Sequence, residues 1–267
     1  ARLGYEINLY EKEAKAGGYL RYGIPEYRLP THIVDKEIEY VTELGVKIHL
    51  NTTVGKDISL DKLKSDNDAV IVAVGAGYGK MLPKFENNPH VEIAVDFLKR
   101  VKDSKGQVDL PDNILVIGGG DVAMDVNVTL KLLGVKNISD VVYEEFCEFR
   151  ASKKELRDAQ ALGVSIIDGY VPVDVDGKTV TFKHRTIPGE VKITADKIIL
   201  AVGQYPNVCG LEGIRIVNGE SDIKGYVTTD PKVFVAGDIA HLDKTVVAAV
   251  RTGKDVASLI HSRIGGR

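Results

Sequence analysis

The stretch Val116-Ile117-Gly118-Gly119-Gly120-Asp121-Val122-Ala123-Met124-Asp125 decides the fold of this chain. An apolar run, Ile114 to Ile117, feeds into three glycines; a helical pattern follows to Leu133 and stops at Gly134. Strand, tight turn and helix in that order open a dinucleotide-binding βαβ unit, with G-x-G-x-x-A written as Gly118, Gly120 and Ala123. Gly118 allows the turn, Gly120 lets the backbone approach a pyrophosphate, and Ala123 lets helix and strand pack closely. The diphosphate charge then sits on the helix N-terminus, where free N–H groups and the dipole favour anions.

Towards the C-terminus, a strand at Ile138–Tyr143 runs into Glu144 and Glu145, and Ser152-Lys153-Lys154-Glu155 is a capping box for a helix closed by Gly163. Asp176-Gly177 turns a hairpin between Val171–Val175 and Thr179–Lys183. Lys197–Gly203 is a continuous apolar run, as is Asp68–Gly75, and both read as parallel strands buried on two faces. Ala201-Val202-Gly203 echoes Ala73-Val74-Gly75, which suggests two related βαβ domains. Val233 to Asp238 is a strand ending in Gly237-Asp238, and a helix follows from about Thr245 to Ile264.

Towards the N-terminus, Ala1 to Gly4 resembles a last helical turn, and a strand at Tyr5–Tyr10 ends in Glu11. Gly17-Gly18-Tyr19-Leu20-Arg21-Tyr22-Gly23-Ile24-Pro25 is too glycine-rich for regular structure and reads as a loop that hugs a ligand. A helix with Thr31 as N-cap places Ile33, Val34, Ile38, Val41 and Leu44 on one face and stops at Gly45; Val46 to Val54 is a strand. The more polar segment Lys80 to Asn113, with a short helix near Val95–Val101, crosses into a second domain. Two readings of Glu11 stay open: the end of a surface strand, or the acidic residue that bonds ribose hydroxyls about 20 residues past a glycine fingerprint lying upstream.

The 267 residues are 44% hydrophobic, enough for one large domain or two ordinary ones. A net charge of −3 with mixed signs argues against nucleic acid or an anionic membrane as main partner, and no apolar run is long enough to span a bilayer. Cys147 and Cys209 stand alone, without a C-x-x-C, so they spell no zinc, iron–sulfur or disulfide framework and suit a reducing cytoplasm. His32, His49, His90, His184, His241 and His261 are scattered, which points to surface or capping roles.

In order along the chain, these pieces resemble the two-dinucleotide-binding flavoprotein oxidoreductases, and more narrowly the glutamate synthase small subunit and the matching domains of dihydropyrimidine dehydrogenase. Glu11, Gly17-Gly18-Tyr19-Leu20, the block Tyr22-Gly23-Ile24-Pro25-Glu26-Tyr27-Arg28-Leu29-Pro30, Asn51 to Ile58, Gly118 to Asp125, Ala201 to Asn207 and Val233 to Asp238 carry the resemblance. It implies an α/β fold of two Rossmann-like domains, the NAD(P)-binding domain (94–205) inserted in an FAD-binding domain formed by 1–93 and 206–267. By the same resemblance Glu11 takes the FAD ribose, and Gly18, Leu20 and Arg28 line its phosphate and flavin approach. Asp238, after Gly237, bonds the ribityl chain, and the helix N-terminus at Thr245-Val246 faces the flavin pyrimidine. Val54, Gly75 and Gly203 join the cofactor contacts, as do Gly118, Gly120, Asp121, Val122 and Glu144 for the nicotinamide nucleotide. Hydride transfer between two rings needs positioning rather than a side-chain acid or base, so no catalytic residue and no metal ligand is expected.

Three departures from the family pattern qualify these expectations. The FAD fingerprint strand and helix, and the cysteine-rich iron–sulfur domain that precedes them, are not in the chain; it reads as a piece of a longer protein that alone binds FAD weakly or not at all. Glu144-Glu145 stand where the family carries Arg-Arg for the NADPH 2′-phosphate, which favours NADH; the alternative is that both carboxylates face solvent. Asp121 stands in place of Asn, where as a helix cap it would compete with a pyrophosphate. The function implied is a reductase module that passes a hydride from NAD(P)H to FAD and electrons on to a partner iron–sulfur domain or synthase subunit. The alternative is a cofactor-deficient scaffold of such an enzyme.

Overall fold

The computed structural model describes residues 1–214, 216–217, 220–221, 223, 226–240 and 243–265; His241 lies outside the described residues. The chain forms two compact units, one of 1–21, 29–78 and 205–267, the other of 22–28 and 79–204.

The first unit begins with β1 (Asn8–Tyr10), then the short helix α1 (Gly18–Tyr22), whose last residue already belongs to the second unit. It continues with α2 (Thr31–Glu43), β2 (Lys47–His49), α3 (Leu60–Asp66), β3 (Val70–Val72) and the start of β4 (Tyr78–Gly79). β1 and β2 pair in parallel. In α2, Val34 is 2% exposed, with Ile38 and Val41 half-buried behind it, whereas Ile33 and Leu44, expected on the same face, are exposed. The inward stripe is therefore the narrow i, i+4, i+7 row rather than a full amphipathic face. The first helical residue is Thr31 itself, after Pro30, so Thr31 is not the N-cap.

The second unit holds β5 (Val91–Ile93), α4 (Ala94–Asp103), β6 (Asn113–Ile117), α5 (Asp121–Leu132), β7 (Asn137–Val141), α6 (Lys153–Ala161), β8 (Ser165–Ile167), β9 (Tyr170–Asp176), β10 (Thr179–His184), β11 (Glu190–Thr194) and β12 (Lys197–Leu200), and ends within β13 (Gln204–Tyr205). Five strands form one parallel sheet in the order β5-β12-β6-β7-β8. Ile114, Val116, Ile138 and Ile199 pack on one face against α4, α5 and α6; Leu115, Ile117, Ile198 and Leu200 pack on the other against Val180 and Phe182 of the antiparallel sheet β9-β10-β11. Two covered faces explain the unbroken apolar runs of β6 and β12. β5 pairs with β12, and the segment from Gly79 to Ile93 that leads through it clusters with the second unit. The boundary expected after 93 therefore falls after Tyr78, and the second one falls before Tyr205.

The hairpin turn is Gly177-Lys178, one residue later than read, with Gly177 at φ +55° between paired Asp176 and Thr179. The third strand, β11, was not anticipated, although Glu190-Val191-Lys192-Ile193-Thr194 alternates polar and apolar residues as an edge strand does. The C-terminal part returns to the first unit with β14 (Ile216–Val217), β15 (Glu220–Ser221), β16 (Val233–Val235) and α7 (Val246–Ile264). β16 pairs in parallel with β3; Val233 and Val235 face a cluster with Val72, Leu211 and Ile239, while Phe234 and Ala236 lie against Val256 and Ile260 of α7.

Candidate functional site

In the second unit β6 lies between β12 and β7, and the chain leaves its C-terminal end where the strand order reverses; open α/β sheets bind ligands at such a point. The three glycines divide the space there. A Cβ on Gly118 would stand 2.3 Å from the Ala201 carbonyl oxygen, and one on Gly119 would stand 2.3 Å from Val142. Those two are glycines because neighbouring strands press on the turn. A Cβ on Gly120 would meet nothing within 4 Å, so the space on that side of the α5 N-terminus is open. No side chain caps that helix: Asp121 instead accepts the Ser152 backbone N–H at 2.7 Å. The expectation that Asp121 caps the helix is thus corrected: its carboxylate is engaged by the loop before α6. Val122 packs into the helix-side core.

The segment after β7 wraps the same turn. Ala151 donates its N–H to the Gly119 carbonyl at 3.2 Å. Glu144, 19% exposed, brings Oε2 to 3.0 Å from the Cβ position of Gly119 and pairs with Arg150 at 3.2 Å. Glu145 turns away, accepting from Thr186 Oγ1 at 3.1 Å and capping the 3-10 turn Phe146–Glu148. Only one of the two carboxylates therefore faces the fingerprint. Gly203 lies by Lys80, whose N–H bonds its carbonyl at 2.9 Å.

Arg28 is held in a network of carboxylates. Its Nη1 donates to both oxygens of Asp125 at 2.7 and 2.8 Å, and Nη2 reaches Glu155 at 3.1 Å. Tyr27 donates to the same Asp125 at 3.2 Å. The guanidinium is thus bound to carboxylates of α5 and α6, and Lys102 fixes the same loop through the Ile24 carbonyl at 2.8 Å. Burial pushes the Asp125 carboxyl up while Arg28 counters it. Burial works to lower the Arg28 pKa, and Asp125 and Glu155 hold it above its usual value. Burial and the Asp125 charge push the Tyr27 hydroxyl far up, so it stays a donor. Sequence reasoning missed this network; the visible signal was a carboxylate, Asp125, between Met124 and Val126 one turn inside the helix.

In the first unit, the C-terminal ends of β3 and β16 lie side by side, with the Ala236 N–H on the Val72 carbonyl at 3.1 Å. They lead into Gly75 (φ +68°) and Gly237 (φ +74°), each with open space around the Cβ position. Gly237 donates its N–H to Thr252 Oγ1 of α7 at 2.8 Å, which pins the start of the turn carrying Asp238. Burial raises the Asp238 pKa, with Lys244 opposing. Thr245 caps α7 by accepting from Ala248 N–H at 3.2 Å, and Val246 is 47% exposed. Glu11 lies at the ends of β1 and β2, its carboxylate accepting the Glu13 N–H at 2.9 Å. Gly17 packs on Val34 and Arg21, and Arg21 crosses to Asp35 at 2.5 Å; Gly18 (φ +51°) is open and Leu20 half-buried. Val54, half-buried, packs against the core around Val72.

The second unit thus presents a helix N-terminus without a side-chain cap at the switch point of a parallel sheet, and the first presents open glycines at paired strand ends. The chain belongs to the pyridine nucleotide-disulphide oxidoreductases, whose family profile matches residues 1–253. Among its relatives is the NAD-dependent dihydropyrimidine dehydrogenase subunit PreT of Escherichia coli, 49% identical over 263 residues, covering 98% of this chain and 64% of PreT. The glutamate synthase [NADPH] small chain of E. coli is more distant, 28% identical over 96% of this chain and 63% of its own length. This chain thus spans just under two thirds of these relatives. FprA of Mycobacterium tuberculosis in complex with NADPH superposes with a TM-score of 0.81 at 17% identity, over 98% of this chain and 78% of FprA. Thioredoxin reductase of T. acidophilum gives 0.74 at 18% identity, over 98% and 92%. The fold is α/β with two Rossmann-like domains of the FAD and NAD(P) type, and no described helix is long and apolar enough to cross a membrane.

Proposed function

We propose that the chain is the reductase module of a dihydropyrimidine dehydrogenase-type enzyme, taking a hydride from NADH to FAD and passing electrons to a partner subunit or iron–sulfur domain. The observation that carries the nucleotide half is the uncapped N-terminus of α5 under the open Gly120, with Glu144 held at the turn. The backbone N–H groups from Gly120 to Val122 would hold the pyrophosphate. Glu144 would accept from the ribose hydroxyls and repel a 2′-phosphate, by about 1 kcal/mol or more at contact distance. The 49% identity to the NAD-dependent PreT supports the same cofactor choice.

For FAD, the open Gly75 and Gly237 leave room for a bound group, and Asp238 is placed on a pinned turn to accept from its polyol. FAD would supply the hydride acceptor; the protein orients the two rings and keeps charge in place. The module's acceptor is proposed by relation to PreT rather than to glutamate synthase. A cofactor-deficient scaffold remains the second reading, favoured by the apolar side chains that the first unit leaves exposed, such as Ile71 at 45%.

Titration of NADH fluorescence separates these readings, and the chain's lack of tryptophan leaves that signal clean. NADH binding about tenfold tighter than NADPH is expected; tighter NADPH binding overturns the Glu144 assignment. An absorption spectrum taken after incubation with FAD and removal of the excess reads the other site. Retained flavin is the result expected of the reductase module, while a colourless protein favours the cofactor-deficient scaffold.

A further inference from the structure

Directly beneath the fingerprint turn lies a carboxyl group that the cofactor reading does not use. Asp140, in β7, is 0% exposed, flanked by Val116 of β6 and Ile166 of β8, and faces Asn127 of α5, also 0% exposed. The Asn127 amide donates to Asp140 Oδ2 at 2.6 Å. The other two oxygens, Asp140 Oδ1 and Asn127 Oδ1, are buried with no partner. Two orphan acceptors side by side in an apolar interior are costly, and neither can satisfy the other without a proton. One proton on Asp140 Oδ1, donated to Asn127 Oδ1, satisfies both and closes an eight-membered acid–amide ring.

We propose that Asp140 is held as a neutral carboxylic acid paired with Asn127, and that this pair positions the Gly118 turn without placing charge beneath the bound diphosphate. The proposal rests on the dinucleotide reading above for its second half only. Burial drives the carboxyl well above its ordinary range, and the Asn127 amide and the Gly118 N–H are the groups that oppose this; among the described residues no charged side chain acts on it. Gly118 is the coupling point, because its N–H bonds the carbonyl of Val141 at 3.0 Å, the residue next to Asp140 in the chain. An ionised Asp140 would instead set a negative charge under the site where the helix dipole collects an anion.

Infrared difference spectroscopy at pH 7.5 between wild type and Asp140→Asn tests the protonation state. The expected result is an un-ionised carboxyl C=O band in the wild type, sensitive to deuteration and absent from the variant. The Asn variant can close an amide–amide ring, so its NADH Kd should stay within about twofold of wild type. A missing band, or NADH binding about tenfold tighter in Asp140→Asn, shows an ionised Asp140 and overturns the proposal.

Asn127→Leu tests positioning. It should speed amide exchange at 118–122 about tenfold and weaken NADH about tenfold, effects that Asp140→Asn does not produce. A folded Asn127→Leu protein with unchanged exchange overturns the positioning half; if that variant does not fold, the band and the Asp140→Asn titration still decide. A wild type with the band and the exchange effect but no dinucleotide binding overturns the cofactor reading and leaves the acid–amide pair standing.

Discussion

β12 and β3 carry nearly the same sequence signal and meet different fates. Lys197–Gly203 and Asp68–Gly75 are both apolar runs closed by Ala-Val-Gly. In β12, Ile198, Ile199 and Leu200 are at most 1% exposed, because β5 and β6 flank the strand and packed layers cover both faces. In β3, Val72 is 4% exposed but Ile71 is 45% exposed, and Val74 just beyond is 51% exposed. β3 pairs with β16 alone among the described strands. A continuous apolar run therefore records that a strand can be buried on both faces, while its neighbours decide whether it is. The second unit has those neighbours in one five-stranded sheet; the first has three-residue pairs, β1 with β2 and β16 with β3.

The largest effect expected in a test of this contrast is at Arg28. It lies in the stretch 22–28 that interrupts the first unit in sequence yet folds with the second. Arg28→Ala leaves the buried Asp125 without its cation and Glu155 with Lys154 alone at 3.8 Å, at a cost of about 3–5 kcal/mol. Thermal unfolding should show it, with faster exchange in α5 and α6 and little change in β3 and β16. Equal acceleration in both units would mean that they unfold as one, and the contrast between them would lose its energetic meaning.

The next effect compares the two strands directly. Ile199→Ala, at a site 0% exposed, opens a cavity in the sheet core and should cost about 3 kcal/mol. Ile71→Ala, at a site 45% exposed, should cost less than about 1 kcal/mol. Urea denaturation followed by circular dichroism measures both. A large loss at Ile71 would show that this side chain does structural work its exposure hides.

Much of this was legible in the residues, and the limits have physical causes. The fingerprint could be read because turn, strand and helix must all agree there, and Gly118 and Gly119 each meet a separate steric demand. Gly134 closed α5 as read, at φ +89°, with the Val135 N–H on the Leu130 carbonyl at 3.1 Å. Ser152 capped α6 as read, accepting from the Glu155 N–H at 3.3 Å. What escaped was long-range. That Arg28 would meet Asp125, 97 positions away, or Asn127 meet Asp140 across a helix and a strand, has no periodic signature. The edge strand β11 escaped because five alternating residues between turns carry little signal of their own.

The smallest effect is a pH dependence within the second unit, where a half-buried and a fully buried carboxyl pull in opposite directions. Burial works to raise the pKa of Glu92 in β5, but Arg100 at 2.9 and 3.0 Å and Lys197 at 2.6 Å overcome it and hold it below the usual value. A depressed folded pKa adds stability above the unfolded value, about 4.3, and that stability is lost as pH falls through the folded pKa. For Asp140, raised by burial, the sign reverses: its contribution is complete below about 3.9 and lost as pH rises through its folded pKa. Glu92→Gln should therefore cost about 1 kcal/mol at neutral pH and nothing at strongly acid pH. Asp140→Asn should gain on the wild type only as pH rises. Denaturation midpoints of the three proteins from acid to mildly alkaline pH read both trends at once. Parallel curves for wild type and Glu92→Gln would show that Arg100 and Lys197 give that carboxylate no preference over water, so that the second unit's advantage lies in its apolar layers alone.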